Sequence, residues 1–380
     1  MKIGVVGKTN VGKSTAFSAA TMIDVEISNR IFTTIKPNVG VTYARTDCVE
    51  KELKTKCSPK NSKCENGIRL IPITLIDVAG LVPDAHTGKG LGNQFLSDLI
   101  EAEGLIHVFD LSGTTDAGGN PTAGYDPEND ILFLNKEMDY WIEGILKKNW
   151  NNIERKSKQG HLLHEVVYEQ LAGLGINQEK TKEIVDAGYS DLLDLATKIR
   201  AANKPIILAG NKIDLKSSWE NYNRLKDKYA IVPVCAEAEL ALRKADRAGL
   251  IHYVPGSSDF EFLKQLQPEQ EKALNFIKES ILKRYGSTGV QQVINKLIFE
   301  KLNYIPAYPV EDEHKYADGA GKILPDVYLM KNGSTALDLA FKVHTDIGKA
   351  FIGAIDAKSK KKIGKEYALK PNDVIKILTR

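Results

Sequence analysis

Gly7-Lys8-Thr9-Asn10-Val11-Gly12-Lys13-Ser14 follows directly on the apolar run Lys2-Ile3-Gly4-Val5-Val6. The run reads as a buried parallel strand. The loop turns at Gly7 and enters a helix at Gly12-Lys13-Ser14-Thr15. Glycines let the backbone curl so that successive N–H groups converge on phosphate oxygens. The helix N-terminus adds its dipole and its free N–H groups. In this pattern Asn10, Val11, Gly12, Lys13, Ser14 and Thr15 line a phosphate chain. Lys13 neutralises the outer phosphates and the Ser14 hydroxyl binds Mg²⁺. The loop alone also suits a plain strand–turn–helix bend, and three further motifs decide between the readings.

Thr33-Thr34 comes next, then Asp77-Val78-Ala79-Gly80, then Asn211-Lys212-Ile213-Asp214. A threonine such as Thr34 can hold Mg²⁺ only while a third phosphate is present, so its loop would order with triphosphate and loosen after hydrolysis. Thr33 is the alternative, and a Thr-Thr pair in a loop is by itself structural. Asp77 closes the apolar run Leu70–Ile76, where its carboxylate reaches the metal, and the Gly80 N–H faces the third phosphate. After the strand-like run Pro205–Ala209, Asp214 can accept two hydrogen bonds from a guanine edge. Adenine offers no matching donor pair, and sites built on such pairing discriminate by roughly 10⁴–10⁵. Cys235-Ala236 follows another strand-like run and occupies the place of a base-supporting Ser-Ala pair. Lys13, Thr34 and Gly80 are the expected catalytic groups, and Ser14, Thr34 and Asp77 the expected metal ligands.

Composition bounds the class. The 380 residues carry 42% hydrophobic and 27% charged side chains with a formal charge of +3, so an ordinary globular chain of two or three domains is expected. That charge is too small to demonstrate a nucleic-acid partner. No apolar stretch is long enough for a membrane span. The strand begins at Lys2, leaving no room for a cleaved leader. Four cysteines without secretory context fit a reducing cytoplasm. Cys48, Cys57 and Cys64 invite a metal reading. Their segment lacks histidine, their spacing is not that of a zinc ribbon, and no fourth ligand is evident. A hairpin tip with reduced thiols is the favoured expectation, with a redox-sensitive disulfide beside it.

With these motifs in view, Phe32–Gly40 and Asp77–Val82 resemble the Obg-related branch of translation-factor GTPases. Gly88-Lys89-Gly90-Leu91-Gly92-Asn93-Gln94-Phe95-Leu96 narrows the resemblance to the YchF group in its archaeal form. The stretch from about Asn303 resembles a TGS domain. The resemblance implies an α/β P-loop NTPase (G domain) over 1–258 with an inserted helical subdomain at about 126–200. A helical connector over 259–302 and a C-terminal β-grasp TGS-like domain over 303–380 complete it. It further implies Mg²⁺-dependent GTP hydrolysis in the cytoplasm and a nucleotide-dependent ribosome or rRNA partner, without DNA or membrane. Typical YchF proteins replace the base-reading aspartate and favour ATP; this chain keeps Asp214, so ATP preference is not carried over. Potassium-activated relatives place an asparagine at the Asn10 position, where its amide oxygen helps hold K⁺; the alternative is an asparagine that only shapes the turn.

The inserted segment opens with a Gly/Ser/Thr loop at 112–121, after which Leu134, Met138, Trp141, Ile142 and Ile145 recur at helical spacing as a packing stripe. Lys358, Lys360, Lys361, Lys362 and Lys365 fall in an expected turn, read either as solvated or as phosphate contacts. Leu81 stands where small GTPases place a water-positioning glutamine, so slow turnover is expected. His86 and His107 are candidate substitutes, with His107 reading as a core residue. Three classes compete: a regulatory GTPase, a metabolic phosphotransferase, and an RNA-binding protein with a structural nucleotide. The Thr34 and Asp214 motifs favour the first.

Overall fold

The computed structural model describes residues 1–22, 38–78 and 99–380. They group into two compact units, Met1–Val41 with Thr74–Val293, and Thr42–Ile73 with Ile294–Arg380. A sheet is built from β1 (Lys2–Val6), β2 (Asn38–Asp47), β3 (Lys63–Glu65), β4 (Ile68–Asp77), β5 (Gly104–Asp110), β6 (Ile206–Asn211) and β7 (Ile231–Pro233). Its order is β2-β4-β1-β5-β6-β7, with β3 paired on β4. β1 runs parallel to β4 and β5, β5 to β6, and β6 to β7. The loops leaving β1, β4, β5 and β6 therefore emerge on one edge, where such sheets place ligands. β5 is buried along its whole length, which explains its nearly unbroken apolar sequence.

Helices described in the first unit include α1 (Lys13–Thr21), α3 (Glu128–Lys158), α4 (Leu163–Leu171), α5 (Gln178–Ala187), α6 (Leu192–Asn203), α7 (Lys216–Leu225), α8 (Ala236–Arg247) and α9 (Pro268–Ile277). The one-turn α2 (Glu50–Leu53) belongs to the second unit. Helices α3 to α6 form the insertion between β5 and β6. With 31 residues, α3 is ~46 Å long, and its apolar stripe serves two cores in succession. Leu134 and Met138 pack with Val6, Ile76 and Leu105 beneath the sheet. One turn on, Ile142 joins Leu146, Val167, Leu171, Leu195 and Ile199 in a helical core. Each such fully buried aliphatic side chain contributes about 1.5–3 kcal/mol. An Arg200–Asp139 pair at 2.5 Å ties α6 to α3. The short antiparallel pair β8 (Ile251–His252) and β9 (Glu261–Phe262) follows.

In the second unit, β10 (Tyr304–Val310), β11 (Tyr328–Lys331), β12 (Phe351–Asp356), β13 (Lys361–Ile363) and β14 (Asp373–Thr379) form a sheet of order β11-β10-β14-β12-β13. The central pair β10–β14 is parallel, and the flanking pairs are antiparallel. Helix α10 (Ala336–Val343) covers it, burying Ala336 and Leu339 against Ile305, Met330 and Ile375. A capping box starts this helix. Thr335 Oγ1 accepts from the Asp338 N–H at 3.2 Å, and Asp338 Oδ2 accepts from the Thr335 N–H at 2.7 Å, worth about 1 kcal/mol. Lys361 and Lys362, expected in a turn, lie on β13.

Residues Thr42–Ile73 join this unit through side-chain amides that pair with backbone. The Asn295 side chain accepts from Arg45 N at 2.9 Å and donates to Arg45 O at 3.0 Å. Asn61 does the same with Val327, at 3.1 and 2.9 Å. The domain limits at 258 and 302 remain a proposal about sequence units; contact places 42–73 with the C-terminal strands.

Candidate nucleotide site

The first loop is held from three sides. Gly12, at φ +88°, caps the start of α1. A Cβ there would stand 2.2 Å from Asn211 Nδ2, so only glycine fits. Asn211 makes use of that closeness. Its Nδ2 donates to Val11 O at 2.9 Å, and its Oδ1 accepts from Ala236 N at 3.1 Å. One buried amide thus clamps the first loop to the start of α8. Lys13, on the first turn of α1, forms an ion pair with Asp77 at the end of β4. The carboxylate therefore reaches the helix start where the Ser14 hydroxyl also lies.

Asp214 is exposed and takes a 3.4 Å contact from the Cys235 thiol at its Oδ1. Burial, then the Asp214 charge, pushes that thiol up to about 12. Cys235 therefore stays a neutral donor at physiological pH and orients the carboxylate as a hydroxyl would. The Cys235–Ala236 loop is itself fixed by Cys235 N to Thr288 O at 2.8 Å and by Val234 N to Gly210 O at 2.8 Å.

Several residues that the sequence did not single out complete the edge. Asp110, wholly buried at the end of β5, accepts from Ser112 N (3.0 Å), Ser112 Oγ (2.5 Å), Thr114 Oγ1 (2.9 Å), Thr115 Oγ1 (2.8 Å) and Lys212 Nζ (2.9 Å). Burial opposes the charge, and the Ser112, Lys212 and Thr115 hydrogen bonds outweigh it, so its carboxyl lies below the usual range. A carboxylate ending an otherwise apolar strand, followed by Ser and Thr, was the available signal.

The loop after β5 also latches the first loop. Gly118 O accepts from Thr9 Oγ1 at 3.1 Å, and Gly119 O accepts from Asn10 Nδ2 at 2.9 Å. Asn10 sits at φ +62°, so its turn-shaping role is visible; its amide oxygen is the atom a K⁺ reading requires. Lys8 is buried, 2.8 Å from Asp130 and 4.1 Å over the Tyr125 ring. His107, also buried, has its pKa lowered to about 3 by burial and then Lys8, which makes it a neutral core residue. Thr33, Thr34, Gly80, Leu81, His86 and the 88–96 stretch lie outside the described residues.

A family model described as 50S ribosome-binding GTPase matches residues 2–148, one described as Obg-like GTPase YGR210-like, G4 motif-containing domain matches 209–312, and a TGS domain model matches 320–379. A GTP-binding protein of Methanocaldococcus jannaschii is 49% identical over 99% of this chain and 98% of that one. The chain belongs to the YchF-type, Obg-like GTP-binding family. The crystal structure of a GTP-binding protein from Pyrococcus horikoshii is 42% identical, covers both chains fully and superposes with a TM-score of 0.79. A protein of Escherichia coli named ribosome-binding ATPase YchF is 26% identical over 99% of this chain and 98% of its own length. The architecture is accordingly a P-loop G domain with a helical insertion and a C-terminal TGS β-grasp domain. Among the described residues, no helix is long and apolar enough to cross a membrane.

Proposed function

We propose that this YchF-type chain binds GTP at the edge formed by the β1, β4 and β6 loops and hydrolyses it slowly to GDP and phosphate. Its nucleotide state would govern association with ribosomes. The observation that carries the reading is the Asn211 clamp. It joins the phosphate loop to the base-reading loops, placing Lys13 and Asp214 in one preorganised frame. Phosphate would rest on the N–H groups of Asn10 to Thr15 with Lys13 on its outer oxygens, and the Asp214 carboxylate would take the guanine edge.

Ser14 and Asp77 offer hydroxyl and carboxylate oxygens, the donors that suit Mg²⁺, and the Lys13–Asp77 pair shows that Asp77 reaches this helix start. A bound Mg²⁺ would neutralise charge on the transferring phosphoryl group. Thr34 is the second metal hydroxyl by its motif, and Gly80 the N–H to the third phosphate. Leu81 cannot orient water by hydrogen bonding, which fits unassisted turnover on the order of 10⁻⁴–10⁻² s⁻¹. Asn10 Oδ1 is the candidate K⁺ ligand. The ribosome is proposed as partner because the relative from E. coli carries that name.

Calorimetric titration with GTP and ATP, followed by phosphate release with and without ribosomes, tests the whole reading. Preferential GTP binding with ribosome-stimulated turnover is expected; equal affinities overturn the assignment of Asp214. The ATPase name of that relative supports a second reading in which ATP is the better substrate, and the same titration separates the two. Exchanging K⁺ for Na⁺ should slow turnover, and an unchanged rate removes the K⁺ assignment.

A further inference from the structure

Four donors converge within a segment that carries no nucleotide motif. Cys48 directly follows β2, Glu50 begins α2, Cys57 lies in the following loop and Cys64 is on β3. One donor atom from each lies within 4.8 Å of all the others. Cys48 Sγ and Cys57 Sγ are 3.9 Å apart, and Cys64 Sγ is 3.4 Å from Glu50 Oε1. We propose that Cys48, Cys57, Cys64 and Glu50 form a closed, tetrahedral structural site for a thiophilic divalent cation, zinc above all. At Zn–S bonds of about 2.3 Å and Zn–O bonds of about 2.1 Å, the edges of such a tetrahedron are about 3.8 Å for S···S and about 3.6 Å for S···O. The 3.9 Å S···S and 3.4 Å S···O separations lie close to these edges, and all the others are within 4.8 Å. The missing fourth ligand of the sequence reading is thus a carboxylate two residues from Cys48.

An independent feature points the same way. Arg69 is directly opposite Cys64 in the β3–β4 pairing, where cross-strand side chains on one face are neighbours. Its side chain is wholly buried. Nη2 donates to Leu324 O at 2.7 Å and the guanidinium lies 5.5 Å over the Tyr308 ring. Nε and Nη1 have no hydrogen-bond partner among the described residues. A buried cation needs an anionic neighbour, or it costs several kcal/mol. Three neutral thiols supply none, and without metal the Glu50 carboxylate is the anion it has. Three thiolates and a carboxylate around a divalent ion carry two negative charges in excess, and the guanidinium offsets one of them.

Loading therefore displaces a proton from each of the three thiols to solvent and leaves no change in oxidation state. A bound cation stabilises the thiolate form of each. The ion would cross-link the 48–64 segment, which has little apolar core of its own; Cys48 and Val49 are its only buried apolar residues.

The test is metal content of the full-length protein from zinc-supplemented cells, and the visible spectrum of protein from cobalt-supplemented cells. The expected result is zinc stoichiometric with the chain and the intense absorption of tetrahedral cobalt thiolate. Cys57→Ala/Cys64→Ala should lose both while GTP binding persists, which shows that the chain has folded. Glu50→Gln should keep the thiolate absorption with altered ligand-field bands. Metal-free protein with free thiols, a Cys48–Cys57 disulfide, or zinc retained by the double variant each overturns the site. The first two outcomes are read on the unsubstituted protein, so poor folding of a variant does not shield the proposal.

Discussion

The nucleotide edge and the Cys48 cluster are both assembled from separated segments, yet they obey different rules. At the nucleotide edge the first loop, Asp77 and Asn211 each stand at the end of a parallel strand, and the sheet alone brings those strand ends together. The Asn211 clamp then needs one short side chain and one glycine. At the Cys48 cluster the donors come from a strand end, a one-turn helix, a loop and a hairpin, with no shared period. Parallel topology transmits sequence order into space, whereas an excursion between two strands does not. The first region is therefore readable from motifs; in the second the three cysteines show in the sequence, but Glu50 and the convergence of all four do not.

The largest expected effect separates the two regions directly. Lys13→Ala should weaken GTP and ATP binding on the order of 10²–10³-fold, because it removes the phosphate charge partner and leaves Asp77 buried without its own. Base preference should not change. Calorimetric titration checks this, and a loss confined to GTP would mean that Lys13 serves the base rather than the phosphates. The zinc-site variants should leave the same titration untouched.

Acid should next set the units apart. His107 has a folded pKa near 3 against an ordinary value near 6.5. The native state refuses a proton that the unfolded chain takes up below pH 6.5, so stability falls as pH drops from 6.5 towards 3. At about 1.4 kcal/mol per pH unit, going from pH 7 to 4.5 costs about 2–3 kcal/mol. The histidines described in the second unit, His314 and His344, are exposed. Asp130, raised chiefly by burial, works in the opposite sense, so the difference between wild type and His107→Leu is the informative quantity. Urea unfolding at both pH values should show the variant losing less stability; an identical loss would place the acid sensitivity elsewhere.

A smaller effect tests how the base loop is supported. Asp214→Asn should lower the GTP-to-ATP affinity ratio by about 10–10²-fold, since the amide cannot accept both guanine donors. Cys235→Ser should preserve the ratio and Cys235→Ala reduce it a few-fold, because the thiol contact at 3.4 Å is what orients Asp214. If serine proves worse than alanine, the contact is packing and not orientation.

Legibility in the sequence followed the same division. The strands over 2–6, 104–110 and 206–211 and the helical insertion were readable because apolar runs and the 3.6-residue stripe are local signals. Asp110 was missed because its five donors lie in a loop and on Lys212, a hundred residues away. The grouping of 42–73 with 294–380 was missed because amide pairs such as Asn61 with Val327 leave no periodicity. Glu50 was missed because a carboxylate in a charged segment looks like solvated surface.

The basic turn of the C-terminal sheet offers the finest test, since its five lysines are not equivalent. Lys358 Nζ is 2.6 Å from Glu52 Oε2. Lys360 donates to the Glu313 carbonyl and lies 4.5 Å over the Tyr316 ring. Lys361 and Lys362, by contrast, are exposed on the edge strand β13. If the proposed ribosome association uses phosphate contacts here, each lysine that neutralises a phosphate adds about 0.7–0.9 to the slope of log affinity against log salt. Lys361→Gln/Lys362→Gln should therefore lower the slope by about 1–2 in co-sedimentation at several salt concentrations. Lys358→Gln/Lys360→Gln should lower it less, because those ammonium groups must first leave partners within the protein. The opposite ranking would mean that the intramolecular contacts open on binding, and equal, unchanged slopes would remove this turn from the interface.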